Sequence, residues 1–128
     1  MNKDLYNIVL ERSAFAPVAI ASDTATFGNV IDTQGFESIF FTTTVGVVTT
    51  GDITMAILEC TTTGGTYTAV DSSMLIGAYA TLDTTADINS VGAVTKRFAK
   101  VKLTSDNSAA LLVASTAILG HSLNASVR

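Results

Sequence analysis

Tryptophan is absent from this sequence, cysteine, proline and histidine occur once each, and only 14% of the residues are charged. The single cysteine, Cys60, excludes an intramolecular disulfide and a zinc site built from several cysteines. The single histidine, His121, excludes a His-rich metal centre. A Ser-His-Asp constellation has no marked nucleophile, because no Gly-x-Ser-x-Gly elbow occurs. Sugar-binding sandwiches use exposed aromatics, and here there is no tryptophan and the three tyrosines are scattered. Gly-x-Gly phosphate loops are missing too; Gly64-Gly65 runs into a threonine-rich strand rather than a helix. Long hydrophobic runs are also lacking: none approaches the ~20 residues that span a bilayer.

What remains is apolar. Hydrophobic types make up 48% of the chain, while charge is well below the roughly 25% of an average soluble domain. Such a surface is suited to being covered by neighbours, a first sign of assembly. The net charge of −4 and pI of 4.6 argue against a nucleic-acid partner, which calls for a basic footprint. The start, Met-Asn-Lys-Asp-Leu-Tyr-Asn, has an aspartate and no hydrophobic leader core, so the expectation is synthesis and retention in a reducing cytosol. No cofactor, metal or membrane partner is indicated.

Threonine fills 20 of the 128 positions, which suits strands and turns better than helices. The richest β-stretch is Gly35 to Val48. Its odd positions Ile39, Phe41, Val45 and Val47 share one face, and Phe36 and Phe40 put apolar bulk on the other. A strand apolar on both sides is covered twice: it is the seam of a β-sandwich, or it is buried partly by the facing sheet and partly by another subunit. Ile53 to Cys60 repeats that character. Thr61-Thr62-Thr63-Gly64-Gly65 reads as a hairpin turn whose glycines supply positive φ, with a returning strand at 66–70. Lys96 to Thr104 alternates cleanly, Ala99, Val101 and Leu103 inward and Lys100, Lys102 and Thr104 outward.

Other segments leave alternatives open. Residues 1–14 fit a short edge strand or an arm docking on another subunit, with a single β domain over 15–128. Pro17 confines its segment to an edge or an extended arm. Ser22 to Asn29 reads as a polar connection. Asp71 to Thr95 fits a one-turn helix near Ser72–Leu75 plus one short strand. Ala109 to Leu119 fits an alanine-rich helix or a buried strand, and Val113, Thr116 and Ile118 favour the strand.

The chemistry-bearing residues are sparse. Asp83, Asp87 and Asn89 lie close in sequence but lack the glycine and terminal glutamate of a calcium loop. Cys60 fits a small core residue and His121 the end of the last strand. Lys96, Arg97, Lys100 and Lys102 gather four of the seven basic residues into one strand. They serve either as a solvated face that resists edge pairing or as a contact for an acidic protein surface.

Several pieces in order carry a resemblance: Ile31-Asp32-Thr33-x-Gly35-Phe36-Glu37-Ser38, a strand ending at Glu59 before a Gly-rich turn and Tyr67-Thr68-Ala69-Val70, then Asp71 to Gly77. Lys96-Arg97-Phe98-Ala99-Lys100-Val101-Lys102-Leu103 and Ile118-Leu119-Gly120-His121 complete it. Across residues 28–121 this order resembles the decoration, or cement, proteins of tailed-bacteriophage heads. The chain departs from them at Thr61-Thr62-Thr63, where acidic residues are expected, and in its N-terminal arm. The resemblance implies an all-β fold, an antiparallel β-sandwich or barrel of about 7–9 strands with at most a short helix. It also implies a non-enzymatic homo-oligomer, a trimer, bound to the major capsid protein on the capsid exterior after synthesis in the host cytoplasm. The alternatives are a neck, tail or receptor-binding component of the virion, or a carbohydrate-binding sandwich. The interface expected from these residues comprises Leu5, Tyr6, Ile8, Phe15 and Pro17 of the arm, Phe36 and Phe40, and the basic group Lys96, Arg97, Lys100 and Lys102.

Overall fold

The computed structural model describes residues 5–21, 25–93, 95–106 and 110–122. A one-turn helix α1 (Leu5–Ile8) precedes β1 (Leu10–Ile20), β2 (Ala25–Phe27), β3 (Ile31–Asp32), β4 (Phe36–Thr50), β5 (Ile53–Cys60) and β6 (Thr68–Ala69). A single 3-10 turn, Ser72–Met74, leads to β7 (Leu75–Ile76), β8 (Ile88–Ala93), β9 (Phe98–Ser105) and β10 (Ala110–Ser122). All pairings are antiparallel. Sheet A runs β1-β10-β4-β8-β7, and sheet B runs β2-β9-β5-β6 with β3 also on β9. The all-β class is as expected. The strand number is higher, ten among the described residues, because β2, β3, β6 and β7 have only two or three residues and show no periodicity.

The two sheets close over one core. Ile39, Phe41, Val91 and Leu119 from sheet A meet Ile57, Val101 and Leu103 from sheet B, all buried. Each such side chain stabilises the fold by about 1.5–3 kcal/mol through area removed from water. In β10 the residues Leu111, Val113, Ser115, Ala117 and Leu119 are buried and alternate with more exposed neighbours. A period of two is what a strand wedged between β1 and β4 requires, and it settles the helix-or-strand ambiguity.

β4 keeps its alternation from Ile39 through Val45 and then slips. Val113 and Leu111 of β10 pair with Val45 and Val48 of β4, so two steps on one strand oppose three on the other. This bulge turns Val47 outward, 59% exposed, and lets Val48 pack on the core instead. The expectation that Val47 shares a face with Ile39, Phe41 and Val45 is therefore corrected. β1 forms the edge of sheet A, and its ladder is irregular between Phe15 and Val18, where Pro17 has no N–H to offer. The boundary after residue 14 falls inside this strand. The polar connection 22–29 is likewise corrected in part, since β2 occupies Ala25–Phe27 and pairs with β9; residues 22–24 lie outside the described residues.

The β5–β6 hairpin forms, but its glycines act differently from expectation. Positive φ occurs at Gly35, Gly51 and Gly77, not at Gly64 or Gly65. A Cβ on Gly65 would come within 2.5 Å of Cys60 Sγ and Thr62 Oγ1, so close approach is what demands glycine there. Gly35, with φ of +90°, closes the Thr33–Phe36 turn, in which the Phe36 N–H donates to Thr33 O at 3.0 Å. After β6, Asp71 caps the 3-10 turn by accepting from the Ser73 N–H at 2.9 Å. Leu82 is pinned by two backbone bonds with Ile53, and Asn89 ties the loop to itself by donating to Ala78 O and accepting from the Ala80 N–H.

Candidate assembly interface

Registers and burial together place a neutral surface on the outside of sheet A. One row across the sheet reads Ile76, Gly92, Phe40, Ile118 and, on the edge strand, Glu11. The next reads Ser90, Thr42, Thr116 and Ser13, joined in part by the 3.0 Å contact of Thr42 Oγ1 with Ser90 Oγ. A third carries Ile88, Thr44 and Ala114. None of the outward positions on β7, β8, β4 and β10 in these rows is ionisable. Ile76 is 67% exposed, Ile88 56% and Phe40 37%, so solvent meets apolar bulk where a soluble sheet ordinarily carries charge.

Several grooves border this face, two of them beside Ile118 and Leu112 of β10. One, of about 550 Å³, has Ile8 and Val9 as one wall and Phe40, Ile118, Ser38 and His121 as the rest. The other, of about 470 Å³, lies towards Ile20, Val47 and Leu112. In the first, Ser38 Oγ and His121 Nδ1 stand 2.8 Å apart, and His121 adopts a left-handed φ of +50°. A hydrolytic triad has the serine on Nε2 and an acid on Nδ1, so this pair has a different arrangement.

The expected interface residues are dispersed by the fold. Leu5 and Tyr6 are exposed on α1, and Ile8 lines the larger groove. Pro17 is exposed at the β1 irregularity, whereas Phe15 is buried in the core of its own chain and offers nothing to a neighbour. Phe36 is half-buried and packs on the core, which separates it from the open face that Phe40 shares with Ile118. Sequence reasoning passed over Ile76, Ile88 and Leu112 as interface residues; β7 is too short to reveal alternation, and their exposure depends on which sheet each strand joins.

The basic group divides into two environments. Arg97 is committed to Asp32 in a two-pronged ion pair and also donates to Gln34 Oε1 at 2.6 Å. That contact holds the Asp32 carboxyl below its ordinary pKa and raises the Arg97 guanidinium. The Lys96 backbone N–H donates to Glu59 Oε2 at 2.9 Å. Lys100 and Lys102 instead point from the outer face of sheet B. The Lys100 ammonium lies 4.2 Å from the centre of the Tyr67 ring and 4.9 Å from that of Phe27, and Lys102 lies 6.0 Å from Phe27. Phe27 was hidden in sequence inside a polar stretch.

Cys60 is buried beside the hairpin, and the Thr62 backbone N–H holds its thiol below the ordinary pKa. Among the described residues no group of three or more His, Cys, Asp or Glu gathers into a metal-binding cluster. Asn89, one of the loop residues considered for a cation, spends its side chain on the loop backbone.

The chain matches no protein-family model and no curated protein by sequence. Its fold is shared with solved structures. A Bacillus protein, from endospore appendages described as a family of disulfide-linked pili, superposes with a TM-score of 0.52 at 18% identity, over 92% of this chain and 91% of that one. The phage PBSX exported protein XepA superposes with a TM-score of 0.63 at 12% identity. That match takes in 93% of this chain but only 39% of XepA. These likenesses establish the sandwich fold.

Proposed function

We propose that this chain is a non-enzymatic structural subunit of a tailed-phage virion, seated on the capsid exterior and self-associating as a homotrimer through the outer face of sheet A. The observation that carries this is the outer surface of β7, β8, β4 and β10 around Ile76, Phe40 and Ile118, with Ile88 beside it, where the rows carry no ionisable residue until Glu11 on the edge strand. Burying such a face would account for the low charge of the whole chain, since obligate interfaces are more apolar than ordinary surface. Cyclic symmetry gives a repeated unit, and many weak contacts on a symmetric shell add up to firm attachment. The decoration-protein resemblance supplies the major capsid protein as partner, with neither nucleic acid nor membrane involved. Likeness in fold to an endospore appendage and to an exported phage protein supports a structural role outside the cell.

A fibre-forming subunit is the second reading, favoured by the end-to-end likeness to the pilus protein. A disulfide-linked polymer needs at least two cysteines per subunit. This sequence has one, and it is buried, so such a fibre would be held together non-covalently.

Light scattering of the purified protein and co-sedimentation with phage heads test both readings. A trimer that sediments with heads, and that Phe40→Ser with Ile118→Ser dissociates, is expected. A stable monomer at micromolar concentration that fails to co-sediment overturns the proposal, and extended filaments in electron micrographs favour the second reading.

A further inference from the structure

The lysines of β9 are explained neither by the core nor by sheet A. Lysine on a sheet commonly guards an open edge against pairing, but β9 is an interior strand, bonded to β2 and β3 on one side and β5 on the other. Edge protection therefore does not account for Lys100 and Lys102. Nor does local charge balance. The only ion pair between side chains among the described residues is Arg97 with Asp32, so neither lysine has a carboxylate within reach there. The strands that build this face contribute Phe27, Ala56, Leu58, Ala69 and Thr104 around the two lysines, and their one outward acid, Asp32 of β3, is already committed to Arg97. In a chain of net charge −4, this face is positive without compensation.

It is also prearranged. The Lys100 ammonium lies over the rings of both Tyr67 and Phe27, and the Lys102 ammonium lies over the ring of Phe27. The Tyr67 hydroxyl is itself anchored, donating to Thr63 O at 3.1 Å. Cation–ring contacts restrain the lysine side chains while leaving their charge uncancelled, which lowers the ordering cost of binding an anion.

We infer that the outer face of sheet B is a docking site for an extended acidic segment of another protein, with carboxylates at alternate positions. Lys100 and Lys102 project from the same side of one strand two residues apart, about 6.5–7 Å along it. An extended segment presents its own alternate side chains at the same repeat, so residues i and i+2 meet the two ammoniums together. Apolar or threonine side chains beside them rest on Phe27, which is 53% exposed. A nucleic acid is a poor occupant. Two ammoniums release few counterions, and the surrounding chain repels a polyanion. The site goes beyond self-assembly and stands independently of it.

The test is a titration of the intact chain with a dye-labelled Glu-Thr-Glu-Thr-Glu-Leu peptide, followed by fluorescence anisotropy at low and at physiological salt. The expected result is saturable binding that weakens with salt. Lys100→Glu with Lys102→Glu should weaken it by about tenfold or more, as the loss of two half-buried charge contacts and their reversal implies. Lys100→Gln with Lys102→Gln, which adds no repulsion, should weaken it severalfold, and so should Phe27→Ala. A peptide with its glutamates in one block should bind more weakly than the alternating one. Phe40→Ser should leave binding unchanged, which separates this site from the sheet A interface. The inference is overturned if the charge-reversed chain, still folded by its urea midpoint, binds as well as the original. It is equally overturned if a Lys-Thr peptide or an oligothymidylate binds as tightly as the acidic one.

Discussion

Asp32 and Arg97, separated by 65 residues, meet through two parallel contacts: Arg97 Nε donates to Oδ1 at 3.0 Å and Nη2 to Oδ2 at 2.9 Å. Around them, Thr33 donates to Arg97 O through both its N–H and its hydroxyl, and the Gln34 N–H donates to Asp32 Oδ1. The clasp ties the lead-in to β4 onto the start of β9, and so joins the two sheets at one end. Its side chains are 45–48% exposed, so Asp32→Asn should cost only about 1 kcal/mol in urea melts. Arg97→Lys should also lower the urea midpoint, because an ammonium cannot reproduce the fork.

The pH dependence follows from the same contact. Asp32, through Arg97 and then the Gln34 N–H, and Asp71, through the Ser73 N–H, both have pKa values below the ordinary 3.8. A carboxyl with a lowered folded value stabilises the fold fully above its unfolded value and loses that contribution as pH falls through the folded one. Stability should therefore decline as pH drops below about 3.8. Asp32→Asn should flatten that decline, and an unchanged acid limb in this variant would refute the assignment.

β9 offers a contrast between two faces of one strand. Val101 and Leu103 are fully buried, so Val101→Asp or Leu103→Asp places an unpaired carboxylate in the core and should cost about 3–5 kcal/mol. Lys102→Ser should cost less than about 1 kcal/mol. Equal losses on both faces would contradict the packing described.

The core also contains a polar pair. Thr43 Oγ1 lies 3.0 Å from both Ser115 Oγ and Met55 Sδ, and both hydroxyl residues are buried. Thr43→Val leaves Ser115 without its partner and should cost about 1–3 kcal/mol. Adding Ser115→Ala should recover much of this, so the double variant should be more stable than the sum of the singles. Strict additivity in urea melts would disprove the coupling.

Removing residues 1–9 deletes α1 and the Ile8 and Val9 wall of the larger groove but spares the Leu10–Leu119 pair. The truncated chain should keep its urea midpoint while self-association weakens. Cutting after residue 14 instead removes the pairs of Leu10 through Ser13 with β10 and should destabilise the domain itself. Light scattering and urea melts on both truncations distinguish these outcomes.

Sequence made the long strands plain, by period two with burial on one side in Lys96–Thr104 and by apolar residues on both faces in Ile53–Cys60. It was silent where structure depends on distant partners. The two-residue strands β3, β6 and β7 exist only because a neighbour lends them hydrogen bonds. Val47 was misassigned because a bulge is set by register against β10, which no local pattern encodes. Phe40 was legible as outward apolar bulk, but Phe36, at the same parity, packs on the core at the strand end. The lysine group was visible as a cluster. Its division into an arginine held by Asp32 and two lysines resting on rings required Phe27 and Tyr67 to be brought in from other strands.

Both sheets are completed by β9 and β10, the last two of the described strands. Among the described residues β1 pairs with no strand but β10, and β2 and β3 with none but β9. Until β9 and β10 leave the ribosome, β1 stands apart from β4, and β2 and β3 from β5. Premature termination before residue 98 thus yields a chain with neither sheet closed, exposed to proteases and to its own kind. Folding of the domain awaits synthesis of β10, and the many long-range pairings make it slow by the standards of a domain this size. Only chains that extend through β10 can bury the apolar faces of both sheets.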